Sequence, residues 1–238
     1  MSNVVDKNKL TNKVILVLGA SGDMGSVVAD LLEDNGATVC RHGRTGDYSA
    51  DVRDGDQTKR LVDVIINRFG RIDVVVNTLS APVKIGSLES KKWDDFLEQF
   101  NVQLKAVVEV TKLVVPHMKK QKKGRIINIL TSYTIGSPPP SLSDYVASKY
   151  AVLGLTKALA RELGKYNITI NAVSPGFIKN RFTKNIPEKL AAILISQTPL
   201  GRLTTANDVA KVVRFLCSDE ADFITGENIN LSGGQVMD

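Results

Sequence analysis

The strongest constraint on this chain is a rhythm in which short β-branched runs alternate with longer stretches whose apolar positions recur at helical spacing. Such alternation specifies βαβ units, because parallel strands need a crossover and a helix is the usual one. Lys13–Leu18 is a near-continuous apolar run and reads as a buried strand. Met24, Val27, Val28, Leu31 and Leu32 then share one helical face, which Gly36 ends, and Ala37–Arg41 reads as the second strand. The stretch Arg44–Asp54 is too short for a helix between two strands, so an extended segment around Tyr48–Val52 is expected to join the sheet directly. The rhythm then predicts a helix over Gln57–Phe69, a strand over Asp73–Asn77 and a long helix over Ser90–Gln121, with Trp93, Phe96, Leu97, Phe100 and Leu104 facing inward. A strand Arg125–Leu130, the breaker run Gly136–Ser141, a helix Leu142–Lys165 and a strand Ile168–Val173 follow. Residues 177–205 read as an insertion carrying one helix, Asn207 as the cap of a helix ending at Cys217, and Asn228–Leu231 as the last strand. The expected architecture is α/β: a doubly wound, Rossmann-type parallel sheet of about seven strands with helices on both faces. One domain spans 1–238, with a polar leader over 1–9.

Composition narrows the function classes. A chain of 238 residues, 43% apolar and 24% charged, has ordinary globular composition and enough length to bury a sizeable core. The net charge of +6 permits an anionic partner, but with 5% aromatics there is little material for a base-stacking platform, and no nucleic-acid partner is expected. The leader lacks an apolar segment, and nothing later approaches the ~20 apolar residues of a membrane span. A cytoplasmic protein without a membrane partner is therefore expected. Cys40 and Cys217 give neither a disulfide framework nor zinc-ligand spacing, so no metal is expected.

Between the first strand and its helix lies Gly19-Ala20-Ser21-Gly22-Asp23-Met24-Gly25. Glycines there let the backbone turn sharply and approach a pyrophosphate, while free N–H groups and the helix dipole attract its charge. In dinucleotide sites an acid about 20 residues further on takes the ribose hydroxyls, whereas a basic residue accommodates a 2′-phosphate. Here the second strand ends Cys40-Arg41-His42-Gly43-Arg44. Arg44 can pair bidentately with phosphate, which favours NADP(H), with NAD(H) as the alternative and Asp47 as the nearest acid.

Tyr145 and Lys149 stand four residues apart and so share a helical face. A phenol is a weak acid–base catalyst at neutral pH, and a neighbouring ammonium is expected to draw its pKa down. Ser132, thirteen residues earlier at a strand end, could hold a substrate oxygen.

These features together resemble the short-chain dehydrogenase/reductase family, in its compact single-domain form that includes the 3-oxoacyl-carrier-protein reductases. The likeness runs from Lys13 to Asp238 and includes Asp51-Val52, Ile72–Asn77, Gly124–Asn128, Tyr145-Val146-Ala147-Ser148-Lys149, Asn171–Gly176, Pro199–Arg202, Ile224–Gly226 and Gly233-Gly234. The resemblance implies hydride transfer between a nicotinamide and a carbonyl or carbinol carbon. It makes Tyr145 the general acid/base, Ser132 the polarising hydroxyl and Lys149 the residue that lowers the tyrosine pKa and binds the nicotinamide ribose. Asp51 and Val52 would contact adenine, Asn77 would lie near the adenosine ribose, and Pro175, Gly176 and Ile178 would cradle the nicotinamide.

The departures are equally specific. Leu18 replaces a threonine, Asp23 replaces a glycine, and Asn77-Thr78-Leu79-Ser80 stands where the family has Asn-Asn-Ala-Gly. Gln103 takes the place of the asparagine that holds a proton-relay water, and Asn180 that of a threonine beside the carboxamide. Counting forward from Asn128 puts Thr131 at the serine position, whereas counting back from Tyr145 selects Ser132, the preferred reading. The substrate is expected to be a small carbonyl compound, such as a 3-oxoacyl thioester carried on an acidic acyl-carrier protein for which Lys119–Lys123 could be the dock. Sugar, pteridine, steroid or polyketide carbonyls are the alternatives, as is an impaired NADP(H)-binding sensor or scaffold. Phe182, Ile186, Leu190, Ile193 and Leu194 suggest an apolar lid. Family members pair through their two long helices, so a homodimer or homotetramer is expected.

Overall fold

The computed structural model describes residues 10–46, 48–178 and 187–237. The leader 1–9, Asp47, Asn180, Phe182 and Ile186 lie outside the described residues. Among them, seven strands form one parallel sheet: β1 (Val14–Leu18), β2 (Thr38–Gly43), β3 (Tyr48–Ser49), β4 (Val74–Asn77), β5 (Gly124–Ile129), β6 (Ile168–Pro175) and β7 (Asn228–Leu231), ordered β3-β2-β1-β4-β5-β6-β7. The order reverses between β1 and β4, which in open α/β sheets is where ligands bind, beyond the carboxyl ends of the strands.

Both faces of the sheet are covered because the strand side chains alternate between two apolar layers. On β1, Val14, Leu16 and Leu18 pack with α2 (Gly55–Phe69), through Leu61 and Ile65, and with α4 (Ala106–Gln121), through Val110, Val114 and Met118. Ile15 and Val17 face the other way, onto α1 (Asp23–Asp34) through Val28 and Leu32 and α7 (Ala206–Cys217) through Val209 and Val213. Every residue of β1, β4, β5 and β6 is buried, as strands covered on both faces require.

The structure corrects several expectations. The second strand runs on to Gly43, the third is only two residues long, and α2 starts at Gly55 because the Asp54 carboxylate caps Asp56 and Gln57. The long helix is three pieces: α3 (Trp93–Gln99), a π-helical turn over Phe100–Lys105, and α4. α3 turns Gln99 to the interior, so Leu97, two residues away on the opposite side, faces out and Trp93 is 69% exposed. Thr205, not Asn207, caps α7, in a reciprocal box with Asp208. The remaining helices are α5 (Ser143–Leu163) and α6 (Glu188–Ser196).

Candidate functional site

The residues singled out by sequence converge on the carboxyl end of the sheet. Gly19, Ser21 and Gly22 form the turn out of β1, and Asp23, Met24 and Gly25 open α1, with Gly22 as its cap. Gly19 adopts φ +79°, a conformation that costs an L side chain energy. A Cβ on Gly25 would overlap the Gly19 carbonyl oxygen, so the glycine is what lets α1 start this close to β1. Thr78 closes the turn from β4: its hydroxyl and N–H donate to the Leu18 carbonyl at 2.7 and 3.0 Å. The bulk at 78 and 79 is thus turned inward, and Leu79 packs on the core.

Arg44 is exposed just past the end of β2. Asp51 is gripped by Arg53 through both carboxylate oxygens, at 2.9 and 2.6 Å, and those bonds hold it at about 2. Val52 is buried beside it, and Asn77 is buried at the end of β4, its Oδ1 accepting from the Leu79 N–H at 3.1 Å. Pro175 ends β6, the Gly176 N–H donates to Leu231 at 3.0 Å, and Ile178 bridges to Thr204. Between the glycine turn and the end of β6 lies a cleft of about 190 Å³ lined by Asp23, Met24, Ile178 and Thr204.

Tyr145 and Lys149 occupy the first two turns of α5, with the ammonium 5.8 Å from the centre of the phenol ring. Lys149 is buried, and its Nζ donates to the Ile129 carbonyl at 2.8 Å. Burial pushes its pKa down to about 7. Burial likewise pushes the Tyr145 phenol up to about 12, against a smaller lowering by its hydrogen bond to the Thr131 side chain. The expectation that Lys149 draws the phenol down is therefore not met in this structure: desolvation, which disfavours both charged forms, is the larger effect.

Of the two candidate hydroxyls, Thr131 is the one whose side chain acts on the phenol, lowering its pKa against the larger effect of burial. Ser132 is 1% exposed and begins a short 3₁₀ turn, Ser132–Thr134, that Thr131 caps. β5 runs to Ile129, so Leu130 and Thr131 follow the strand directly and lead into the turn. Tyr133, which no sequence motif singles out, is close enough for its charge to act on Tyr145.

Gln103 is buried in the π-helical turn, where its Nε2 donates to Gln99 at 2.6 Å and to Ser148 at 3.0 Å on the catalytic helix. Its Oε1 is buried without a hydrogen-bond partner. The lysines that could dock a carrier, or simply complement the end of a helix in water, lie elsewhere. Lys119 covers the Tyr166 ring at 4.4 Å and Lys123 pairs with Asp219 at 3.1 Å, at the end of α4 that leads into the start of β5. The length of β5, roughly 20 Å at ~3.3 Å per residue, separates them from Thr131.

A parallel sheet with a glycine turn at its switch point, and a tyrosine and lysine one helical turn apart beside it, define a nucleotide-dependent oxidoreductase. The comparisons agree. A family model described as enoyl-(acyl carrier protein) reductase matches residues 15–235. The chain is 36% identical to 3-oxoacyl-[acyl-carrier-protein] reductase FabG of Thermotoga maritima, over 96% of this chain and all of that one, and 32% identical to its namesake in Vibrio cholerae, over 96% and 99%. Among solved structures, a gluconate 5-dehydrogenase from Burkholderia cenocepacia in complex with NADP and tartrate superposes with TM-score 0.91 at 25% identity, covering 97% of each chain. An aldohexose dehydrogenase from Thermoplasma acidophilum does so at 0.88 and 29%, covering 96% and 95%. The chain belongs to the short-chain dehydrogenase/reductase family and is an oxidoreductase. Among the described residues no helix is long and apolar enough to cross a membrane.

Proposed function

We propose that this protein is an NADP(H)-dependent reductase of carbonyl compounds, acting on a 3-oxoacyl thioester and reversibly on the matching secondary alcohol. The observation that carries this reading is the meeting of Thr131, Tyr145 and Lys149 at the strand ends, beside a turn built for phosphate. The turn 19–25 fits a pyrophosphate, Asp51 and Val52 the adenine, Asn77 its ribose, and Pro175, Gly176 and Ile178 the nicotinamide. Arg44, exposed past β2, fits a 2′-phosphate. The bound dinucleotide supplies the hydride.

The chain's own part is proton transfer. Thr131 holds the substrate oxygen, taking the role first assigned to Ser132, and Tyr145 gives that oxygen its proton as negative charge develops. Lys149, with a pKa of about 7, can carry charge or release a proton at neutral pH, and so can recharge the phenol. The unpaired Gln103 Oε1 is a ready acceptor for a relay beside α5. Two hydroxyls converging on one point suit an oxygen that gains charge, which favours carbonyl over carbon–carbon double-bond reduction. The names of the 3-oxoacyl-carrier-protein reductases support the acyl class, and so do Leu190, Ile193 and Ile195, which α6 exposes in the stretch of chain after Ile178. These apolar groups suit an acyl chain better than a sugar. Exposed Trp93 and Leu97 offer an apolar face for a second copy, consistent with a homodimer or homotetramer, and NADPH use fits a cytoplasmic location.

The test is NADPH oxidation with a 3-oxoacyl thioester, with sugar and steroid ketones as comparators. The thioester should be the best substrate and NADPH should be preferred to NADH. Arg44→Ala should cut that preference about tenfold or more, the scale of one charge-assisted pair. Equal use of both cofactors by the parent protein would remove the Arg44 assignment.

A further inference from the structure

His42 is a buried imidazole that the mechanism does not use, and it stands between two parts of the nucleotide site. Its Nδ1 lies 3.2 Å from the Gly19 N–H and its Nε2 lies 3.0 Å from the Ala50 carbonyl oxygen. A backbone N–H can only donate and a carbonyl can only accept, so these partners dictate the ring's state: Nε2 carries the proton and Nδ1 presents a lone pair. The main chain of the same residue adds a third link, its carbonyl accepting from the Ala20 N–H at 2.8 Å. One side chain therefore ties the left-handed first glycine of the phosphate turn to the residue before Asp51.

The ring is suited to this by its surroundings. Burial lowers its pKa, against weaker raising effects from the Ala50 carbonyl and the Asp51 carboxylate, and so favours the neutral form. A protonated ring would set an N–H against the Gly19 N–H inside the protein, at the cost of a buried unsatisfied pair. The space is also fixed on the other side: a Cβ on Gly43 would come within 3.1 Å of the Ser21 hydroxyl, so β2 and the turn are already in close contact. A histidine that merely filled the core would have apolar neighbours and one convenient partner. This one has two backbone partners on two elements, both from the region assigned to the cofactor.

We propose that His42 is a positioning residue for the cofactor, a neutral bridge that fixes the spacing between the phosphate turn at Gly19 and the adenine-binding segment at Ala50–Val52. The inference rests on the reading of that region as the NADP(H) site. It predicts that loss of the ring loosens the turn before any cofactor is added and weakens cofactor binding without altering the chemical step.

The experiment compares wild type, His42→Leu and His42→Asn. Asparagine can restore an acceptor for Gly19, and leucine cannot. Backbone amide hydrogen exchange in the cofactor-free proteins should be faster across residues 18–25 in His42→Leu, by about tenfold or more, and close to wild type in His42→Asn. NADPH titration should give a dissociation constant raised about tenfold for His42→Leu and largely recovered for His42→Asn, with kcat at saturating NADPH within about twofold of wild type. Unchanged exchange in the turn of His42→Leu would overturn the inference, as would equal loss of NADPH affinity in both variants. If His42→Leu does not fold, His42→Asn decides alone: slow exchange in the turn and near-normal NADPH affinity sustain the bridge, and wild-type affinity with a freely exchanging turn refutes it. A wild-type protein that binds no NADPH would instead defeat the cofactor reading, while the exchange data would still judge the bridge.

Discussion

Thr131, Tyr145 and Lys149 show what burial does to the groups of the proposed site. Each is held by a specific partner, yet the phenol and the ammonium are both driven toward neutrality by the loss of water. This has a consequence for stability. The Lys149 pKa falls from 10.5 to about 7 on folding, so the unfolded chain binds the proton more tightly. The folded state carries a penalty that is complete below about pH 7 and fades as the pH rises toward 10.5. Lys149→Met should therefore abolish activity yet raise the unfolding temperature, and raise it more at about pH 6 than at about pH 9; an equal gain at both would contradict the shift. The two candidate hydroxyls separate just as cleanly. Thr131→Val should lower kcat about a hundredfold or more, whereas Ser132→Ala should stay within about fivefold, and the reverse pattern would return the role to Ser132. The residue types were readable from sequence because tyrosine and lysine one helical turn apart must share a face. The choice between Thr131 and Ser132 was not, because it depends on where the strand ends and how the loop absorbs one residue.

At the scale of elements, the catalytic helix is held by an ion pair the sequence did not announce. Lys91, in the loop before α3, donates to Asp144 at 2.8 Å, and their side chains are 3% and 1% exposed. Asp144 immediately precedes Tyr145, and Lys91 also donates to the Lys84 carbonyl. The Gly86 N–H reaches Ser141 at 3.1 Å, and the Gln99 amide reaches the Pro82 carbonyl at 2.9 Å. The loop after β4 is thus strapped to the start of α5. Breaking such a buried pair leaves one charge uncompensated, which typically costs about 3–5 kcal/mol, whereas replacing both partners with apolar groups is far less costly. Urea unfolding should show Asp144→Leu losing about 3 kcal/mol or more, and the double variant Lys91→Met with Asp144→Leu losing less than that single change. Additive losses would show that the pair is not coupled. Sequence periodicity located both elements but could not see this strap, since its residues lie 53 positions apart. It also missed the π-helical turn at Phe100–Lys105 and the inward turn of Gln99, which leaves Trp93 and Leu97 facing out.

For the whole molecule, a doubly wound parallel sheet of about seven strands was legible because the βαβ rhythm implies crossover connections that lay helices on both faces. Where charge does its work was not legible. Lys123 belongs to an ion-paired cluster at the amino edge of the sheet, in which Arg125, 3% exposed, pairs with Asp219 at 3.1 Å and with Asp222. The candidate site lies at the opposite edge, where Arg44 and the glycine turn stand. That separation weighs against carrier docking at Lys119–Lys123. If carbonyl reduction runs through the Tyr145 phenol, the decisive measurement is the turnover of NADPH with a 3-oxoacyl thioester by Tyr145→Phe beside a titration of NADPH binding. The kcat should fall about a hundredfold or more with the NADPH dissociation constant unchanged within about threefold. Turnover by Tyr145→Phe at the wild-type rate would contradict that route.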